Sequence, residues 1–249
     1  MTENAVLIFA RSPELGKVKT RLESAIGDYL TLAIYRAFLR DTLTAARESG
    51  ARVILAHTPG PPFTEQALAD DTFVQRGNTF GERFDFAVEE TAKRLSSQTP
   101  FILIGADTPH LSPTFLHEAL MALTHYDAVI GPNLNGGFYL LGFSRPPVRV
   151  QEVFHHDSTD EVAVLSLILA KARMKTSLLE PNFDIDLPED LHNLIRIIDR
   201  ANTTGECWIP ANTRRVLQTS PVISLAVKRV PTRARQRLAA QLKASGEPI

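Results

Sequence analysis

The stretch FILIGADTPH, residues Phe101 to His110, decides how the chain is read. Four apolar residues, Phe101 to Ile104, run into Gly105 and then into Asp107, Thr108 and Pro109. That pattern predicts a buried strand delivering a carboxylate to its C-terminal end. In open α/β sheets ligands bind beyond the carboxyl ends of the strands, so Asp107 can meet a ligand or a metal there. Asp-Thr-Pro is also ordinary turn chemistry, and the motif taken alone leaves both roles open.

Upstream, Val6 to Ala10 reads as a first buried strand, followed by a loop from Arg11 to Arg21 with four cations: Arg11, Lys17, Lys19 and Arg21. Gly16 and Pro13 loosen and bend it. A cationic loop at a strand end suits a diphosphate, because Lys offers a point charge and Arg a bidentate fork to phosphate oxygens. It lacks the two glycines and the Lys-Ser/Thr pair of a Walker loop. Asp28 to Gly50 then predicts a long helix, with Leu30, Ala33, Ile34, Ala37 and Phe38 on one stripe. Asp41 falls on the same stripe, and a buried carboxylate needs a partner, for which Arg21 is one candidate. Arg52 to Ala56 is a second strand, and His57 at its end reads as structural.

Phe73 to Gly77 predicts a short strand, and the segment Gly77 to Arg83 opens a helix. Gly77 and Gly81 allow close backbone approach, and Arg83 lies among unpaired helix N–H groups where a base or sugar could sit. After the central strand, Ser112-Pro113 starts a helix as cap and first-turn proline. Strands follow at Asp127 to Gly131, Phe138 to Phe143 and Thr176 to Leu179. Between the first two of these, Asn135-Gly136-Gly137 is either turn chemistry or bare backbone beneath a ligand. Ser158-Thr159-Asp160-Glu161 has a capping-box pattern, and His155-His156-Asp157 before it is a weaker metal candidate, since adjacent histidines point different ways. Asp186-Leu187-Pro188-Glu189 is a further capping-box pattern ahead of a helix through Leu191, Leu194, Ile195 and Ile198.

Strands alternate with helices to about residue 200, which predicts an α/β fold with a mixed, mostly parallel sheet between helices. The pattern then changes. Between Cys207 and Gly246 there are eight basic residues and no acidic one, in a chain of net charge −1. Residues 1–200 are therefore expected to form one domain, and 201–249 a basic C-terminal extension packing on that domain or on a second subunit as a homodimer contact. Its interleaved apolar residues argue for packing faces rather than a nucleic-acid surface. With 44% hydrophobic and 22% charged residues, composition points to neither nucleic acid nor a membrane, and no membrane span is expected. The N-terminal MTENAVLIFARS reads as a strand, not a signal peptide, and the single Cys207 excludes an internal disulfide. A cytoplasmic location is the simplest expectation.

The segments Lys17 to Leu22, Ile104 to Pro109, Gly131-Pro132, Gly136 to Gly142, Asp184-Ile185-Asp186 and Pro188 to Leu191 occur in an order that resembles a known family. It is the bacterial family of provisionally assigned glycosyltransferases with the GT-A, or nucleotide-diphospho-sugar transferase, fold. The chain is more distantly similar to nucleotidyltransferases such as the molybdenum cofactor and phospholactate guanylyltransferases. The resemblance spans about residues 4 to 198. It implies that Asp107 binds Mg²⁺ or Mn²⁺, with Asp186 as second ligand unless that carboxylate caps the following helix. Asp107, Lys19 and Arg21 would then carry the chemistry. Arg11, Gly16, Lys17, Gly77, Gly81, Arg83, Asn135, Gly136 and Gly137 would complete the nucleotide-binding set. The implied reaction is sugar transfer from a metal-bound nucleotide-sugar to a small-molecule acceptor. The alternatives are nucleotidyl transfer from a nucleoside triphosphate to a phosphorylated small molecule, and nucleotide binding without turnover. Two positions depart from the family pattern. Asn135 stands where the family has Asp, and Asp157 precedes Ser158-Thr159 where the family has Trp.

Overall fold

The computed structural model describes residues 4–96, 99–154, 160–204 and 208–220. Among these, seven strands form one sheet: β1 Ala5–Ala10, β2 Arg52–His57, β3 Asp71–Val74, β4 Phe101–Gly105, β5 Ala128–Pro132, β6 Phe138–Phe143 and β7 Thr176–Leu178. The order is β3-β2-β1-β4-β6-β5-β7, and only β6 runs against the rest. The helices are α1 Thr20–Ile26, α2 Asp28–Glu48, α3 Phe80–Arg94, α4 Pro113–Ala122, α5 Glu161–Lys171, α6 Pro188–Thr204 and α7 Ala211–Thr219.

The sheet is buried on both faces, which explains its continuous apolar strands. Val6, Ile8, Ile102 and Ile104 pack under Tyr35, Leu39 and Leu43 of α2 and Leu116 and Leu120 of α4. Their alternates Leu7, Leu103 and Phe101 pack against Phe84 and Val88 of α3 and Leu165 and Leu169 of α5. A third apolar layer holds α1, α6 and α7 onto the back of α2 through Leu22, Ile34, Phe38, Ile185, Leu194 and Leu217. Helix α2 is therefore buried on two sides.

Register places the functional loops. Phe9 pairs with Gly105 and Ala10 with His57, so β1, β2 and β4 end level with one another. Because β6 is antiparallel, its first residue Phe138 pairs with Pro132 at the end of β5. The loops after β1, β4, β5 and β7 thus open on one edge of the sheet, at its C-terminal side.

Local details refine the expectations. Ser112 caps α4 by accepting the Phe115 N–H, as its Ser-Pro start predicts. Strand β3 ends at Val74, and Gln75 beyond it is buried, donating its side-chain amide to the carbonyls of Ala10 and Ala56. The described cap of α5 is Asp160, which accepts the Ala163 N–H, whereas Ser158 lies outside the described residues. The His155-His156-Asp157 cluster lies outside them too. Asp41 is buried as expected, but its partner is not an arginine. It accepts the backbone N–H groups of Asn212 at 3.0 Å and Thr213 at 2.7 Å, and the Asn212 side-chain amide at 2.8 Å. The unpaired N–H groups at the start of α7 supply what an Arg would have supplied. Residues 208–220 therefore pack against α2 and α6, and residues 221–249 lie outside the description.

Candidate active site

The Arg11 to Lys19 loop is pinned at its start and at its end. The Tyr35 hydroxyl accepts the Arg11 N–H at 2.9 Å and donates to the Arg11 carbonyl at 2.8 Å. Burial, with the negative charge of Asp107 adding to it, pushes the Tyr35 phenol well above its ordinary range, so it stays protonated. At the far end, Lys19 is the N-cap residue of α1 and adopts φ 46°, ψ 43°. A left-handed non-glycine residue costs about 1–3 kcal/mol and persists where its surroundings hold it. Here the hold is electrostatic. The Lys19 Nζ lies 2.6 Å from Asp107 Oδ2 and 2.6 Å from Asp186 Oδ1, with only 8% of the side chain exposed. Burial pushes the ammonium down, but the two carboxylates outweigh it and hold Lys19 above the ordinary lysine value.

The acidic partners come from two loops joined by one backbone bond, Ile185 N–H to the Asp107 carbonyl at 3.0 Å. Ile185 is fully buried against α1 and α6, and its neighbours Asp184 and Asp186 turn their carboxylates toward Asp107. Oxygen atoms of Asp107, Asp184 and Asp186 lie within 4.8 Å of one another. Asp186 is free for this role because Asp190 does the capping, accepting the N–H groups of Asp186 at 3.0 Å and Leu187 at 2.8 Å. Burial, then the charges of Asp107 and Asp186, push the Asp184 carboxyl up to about 6. Three clustered carboxylates suit a hard divalent cation, which takes oxygen ligands.

Around the triad, Asn135 accepts the Gly137 N–H through Oδ1 at 3.2 Å and reaches Asp184 with its amide at 3.5 Å. Glu161, the first residue of α5, donates its N–H to the Gly136 carbonyl at 2.9 Å. Its carboxylate lies so close to Gly137 that a Cβ there would sit 3.2 Å from Oε2. Burial and the Asp184 charge raise the Glu161 carboxyl.

These groups line one open cavity of about 930 Å³ along the C-terminal edge of the sheet. It brings together Arg11, Lys17, Lys19, Arg21, Arg83, Asp107, Asn135, Gly136, Gly137 and Asp186. Arg21 points at Asp186, 3.7 Å away, and Lys17 is exposed, pairing with Glu14 at 2.8 Å. Gly16, Gly77 and Gly81 do not line it. A Cβ on Gly81 would meet the Gln151 carbonyl at 2.9 Å, and Gly77 has φ +132°, so these two serve backbone packing and turning. Asp184 and Glu161 were not singled out from the sequence. Asp184 could have been, since residues i and i+2 of an extended segment share a face. Glu161 was concealed by the capping pattern that contains it.

Residues 41–158 match the profile of a family described as "Uncharacterized protein conserved in bacteria (DUF2064)". No curated protein matches the chain. Among solved structures, a protein of Desulfovibrio desulfuricans G20, provisionally named a nucleotide-diphospho-sugar transferase, aligns with a TM-score of 0.74 at 28% identity. That alignment covers 91% of this chain and 99% of the other. Rv0371c of Mycobacterium tuberculosis H37Rv aligns with a TM-score of 0.49 at 17% identity, over 78% of this chain and 99% of that one. A cytidylyltransferase of Leptospira borgpetersenii aligns with a TM-score of 0.49 at 16% identity, over 90% and 97%. The mixed, mostly parallel sheet and the likeness to the Desulfovibrio protein bear out the fold read from the sequence. In fold, the chain is GT-A-like, and it is similar to a provisionally named nucleotide-diphospho-sugar transferase.

Proposed function

We propose that the chain is a metal-dependent glycosyltransferase that takes a sugar from a nucleoside-diphosphate donor. The observation that carries the reading is the triad of Asp107, Asp184 and Asp186 with Lys19 wedged against two of its members, at the mouth of a cavity also lined by Arg11, Lys17 and Arg21. Three carboxylates and one buried ammonium leave a formal charge of about −2, which a divalent cation neutralises. Asp107, Asp184 and Asp186 would hold Mg²⁺ or Mn²⁺, which would supply positive charge to stabilise the leaving group.

The remaining work falls to the chain. Lys17, Arg11 and Arg21 bind and orient phosphate oxygens from the loop side. Lys19, held by its ion pairs, fixes the spacing of Asp107 and Asp186 and offers a positive charge to the departing diphosphate. Glu161 faces the bare backbone of Gly137, where an acceptor hydroxyl can approach, and its raised carboxyl makes it a better base for that proton. As the acceptor oxygen bonds to the sugar carbon, the carbon–oxygen bond to the diphosphate breaks and a nucleoside diphosphate leaves. Asn135 supports the loop through the Gly137 N–H, so its amide does not argue for an inactive protein.

The test is product analysis on a panel of nucleotide-sugars with Mg²⁺ or Mn²⁺, comparing wild type with Asp184→Asn. Release of nucleoside diphosphate, lost in the variant, supports the reading. Pyrophosphate from nucleoside triphosphates, with no diphosphate from any nucleotide-sugar, assigns the site to nucleotidyl transfer instead.

A further inference from the structure

The proposed reaction uses the polar groups of the cavity, but five of its lining residues are phenylalanines. Phe9 of β1, Phe80 and Phe84 of α3, Phe138 of β6 and Phe154 of the short turn Gln151–Phe154 all line it. Their rings form a connected wall. Phe80 and Phe154 meet edge to face at 4.8 Å, Phe9 and Phe80 at 5.6 Å, and Phe84 and Phe138 at 5.8 Å, while Phe138 and Phe154 lie 5.9 Å apart. Phe84 is buried, but Phe80 is 46% exposed. Phe80 therefore leaves ring surface in water where it lines the cavity, which is unfavourable until something apolar covers it.

Phosphate groups gain nothing from such a surface, because they would lose hydration without finding a hydrogen-bond partner. The wall is also continuous with the centre of reaction. Phe138 directly follows Gly137, against which the Glu161 carboxylate rests. A molecule lying on Phe138 and Phe154 would thus present its near end to Glu161 and the triad.

We infer that the phenylalanine wall is the acceptor subsite, and that the acceptor is an alcohol or phenol bearing an apolar ring. Free sugars and sugar phosphates are then poor acceptors. The inference rests on the transfer reading above for its reaction, but its binding test does not need turnover.

The probes are phenyl β-D-glucopyranoside and methyl β-D-glucopyranoside, titrated calorimetrically into the full chain in the presence of Mg²⁺. The phenyl compound is expected to bind at least tenfold more tightly, and that preference to fall at least fivefold in Phe80→Ser and in Phe154→Ala. Mn²⁺ affinity within twofold of wild type shows that the variants keep a folded triad. Equal binding of the two glucosides, or a preference unchanged in both variants, overturns the inference. So does weakened binding of Mg²⁺ with UDP, GDP, ADP or CDP in the wall variants at an unchanged phenyl preference, since the wall would then hold the nucleobase. A phenyl preference that survives while no nucleotide-sugar is turned over would leave the wall standing and remove the reaction.

Discussion

Asp184 sets the pH response of the site. Its carboxyl is pushed up to about 6 by burial and by the negative charges of Asp107 and Asp186, against an ordinary value near 4. A metal held by the triad would have to displace that proton. Mn²⁺ affinity is therefore expected to be flat above about pH 7 and to fall as pH drops through 6, by up to about tenfold per pH unit. In the metal-free protein the sign is opposite. A raised folded-state value means that the native state binds the proton more tightly than the unfolded chain, so the Asp184 contribution to stability grows as pH falls from about 6 toward 4. Metal titrations and urea melts across this window check both signs, and Asp184→Asn should remove both dependences. Asp107 was legible because a hydrophobic run followed by an Asp has few readings. Asp184 was less so, because its placement depends on Ile185 going into the core between α1 and α6. The phenylalanine wall was not legible at all: its members come from four segments that only the packing of α3 and the Gln151–Phe154 turn against the sheet brings together.

Among the elements, α2 and α7 show what a sequence stripe can and cannot tell. The stripe read on α2, with Ile34 and Phe38, faces α1, α6 and α7, while the residues against the sheet are Tyr35, Leu39 and Leu43. A helix buried on both sides has two stripes, and one periodicity search finds only one. The same ambiguity misassigned Asp41. Its burial was correctly expected, but the partner lies 171 residues away in the chain, at the start of α7. Replacing Asp41 by Ala leaves the first N–H groups of α7 without acceptors in a buried contact. We expect a loss of about 2–4 kcal/mol in a denaturant melt, combining a lost cap with unsatisfied buried donors. The loosened helix should become the first site of limited proteolysis. A variant melting like wild type, with α7 still protected, would mean that apolar packing alone docks the C-terminal segment.

At the scale of the molecule, the strands bring functional loops to one edge of the sheet. Parallel β1, β2 and β4 end level, and the reversal of β6 returns the Asn135 to Gly137 loop to the same side. The Asp184 to Asp186 segment completes the site through its backbone bond to Asp107. This convergence follows from topology, and it turns separate short motifs into one cavity. The alternation of strand and helix made the fold legible, whereas the chemistry awaited the geometry of Lys19 between two carboxylates.

The most direct test is a Mn²⁺ titration, followed by water proton relaxation, of wild type, Asp107→Asn and Lys19→Met. Loss of a ligand should weaken Mn²⁺ at least tenfold in Asp107→Asn. Removal of the buried positive charge should tighten Mn²⁺ in Lys19→Met while weakening the Mn²⁺-dependent binding of nucleoside diphosphates. Wild-type Mn²⁺ affinity in Asp107→Asn would contradict the account, because Asp107 and Lys19 would then form a structural ion pair and the diphosphate site would lie elsewhere.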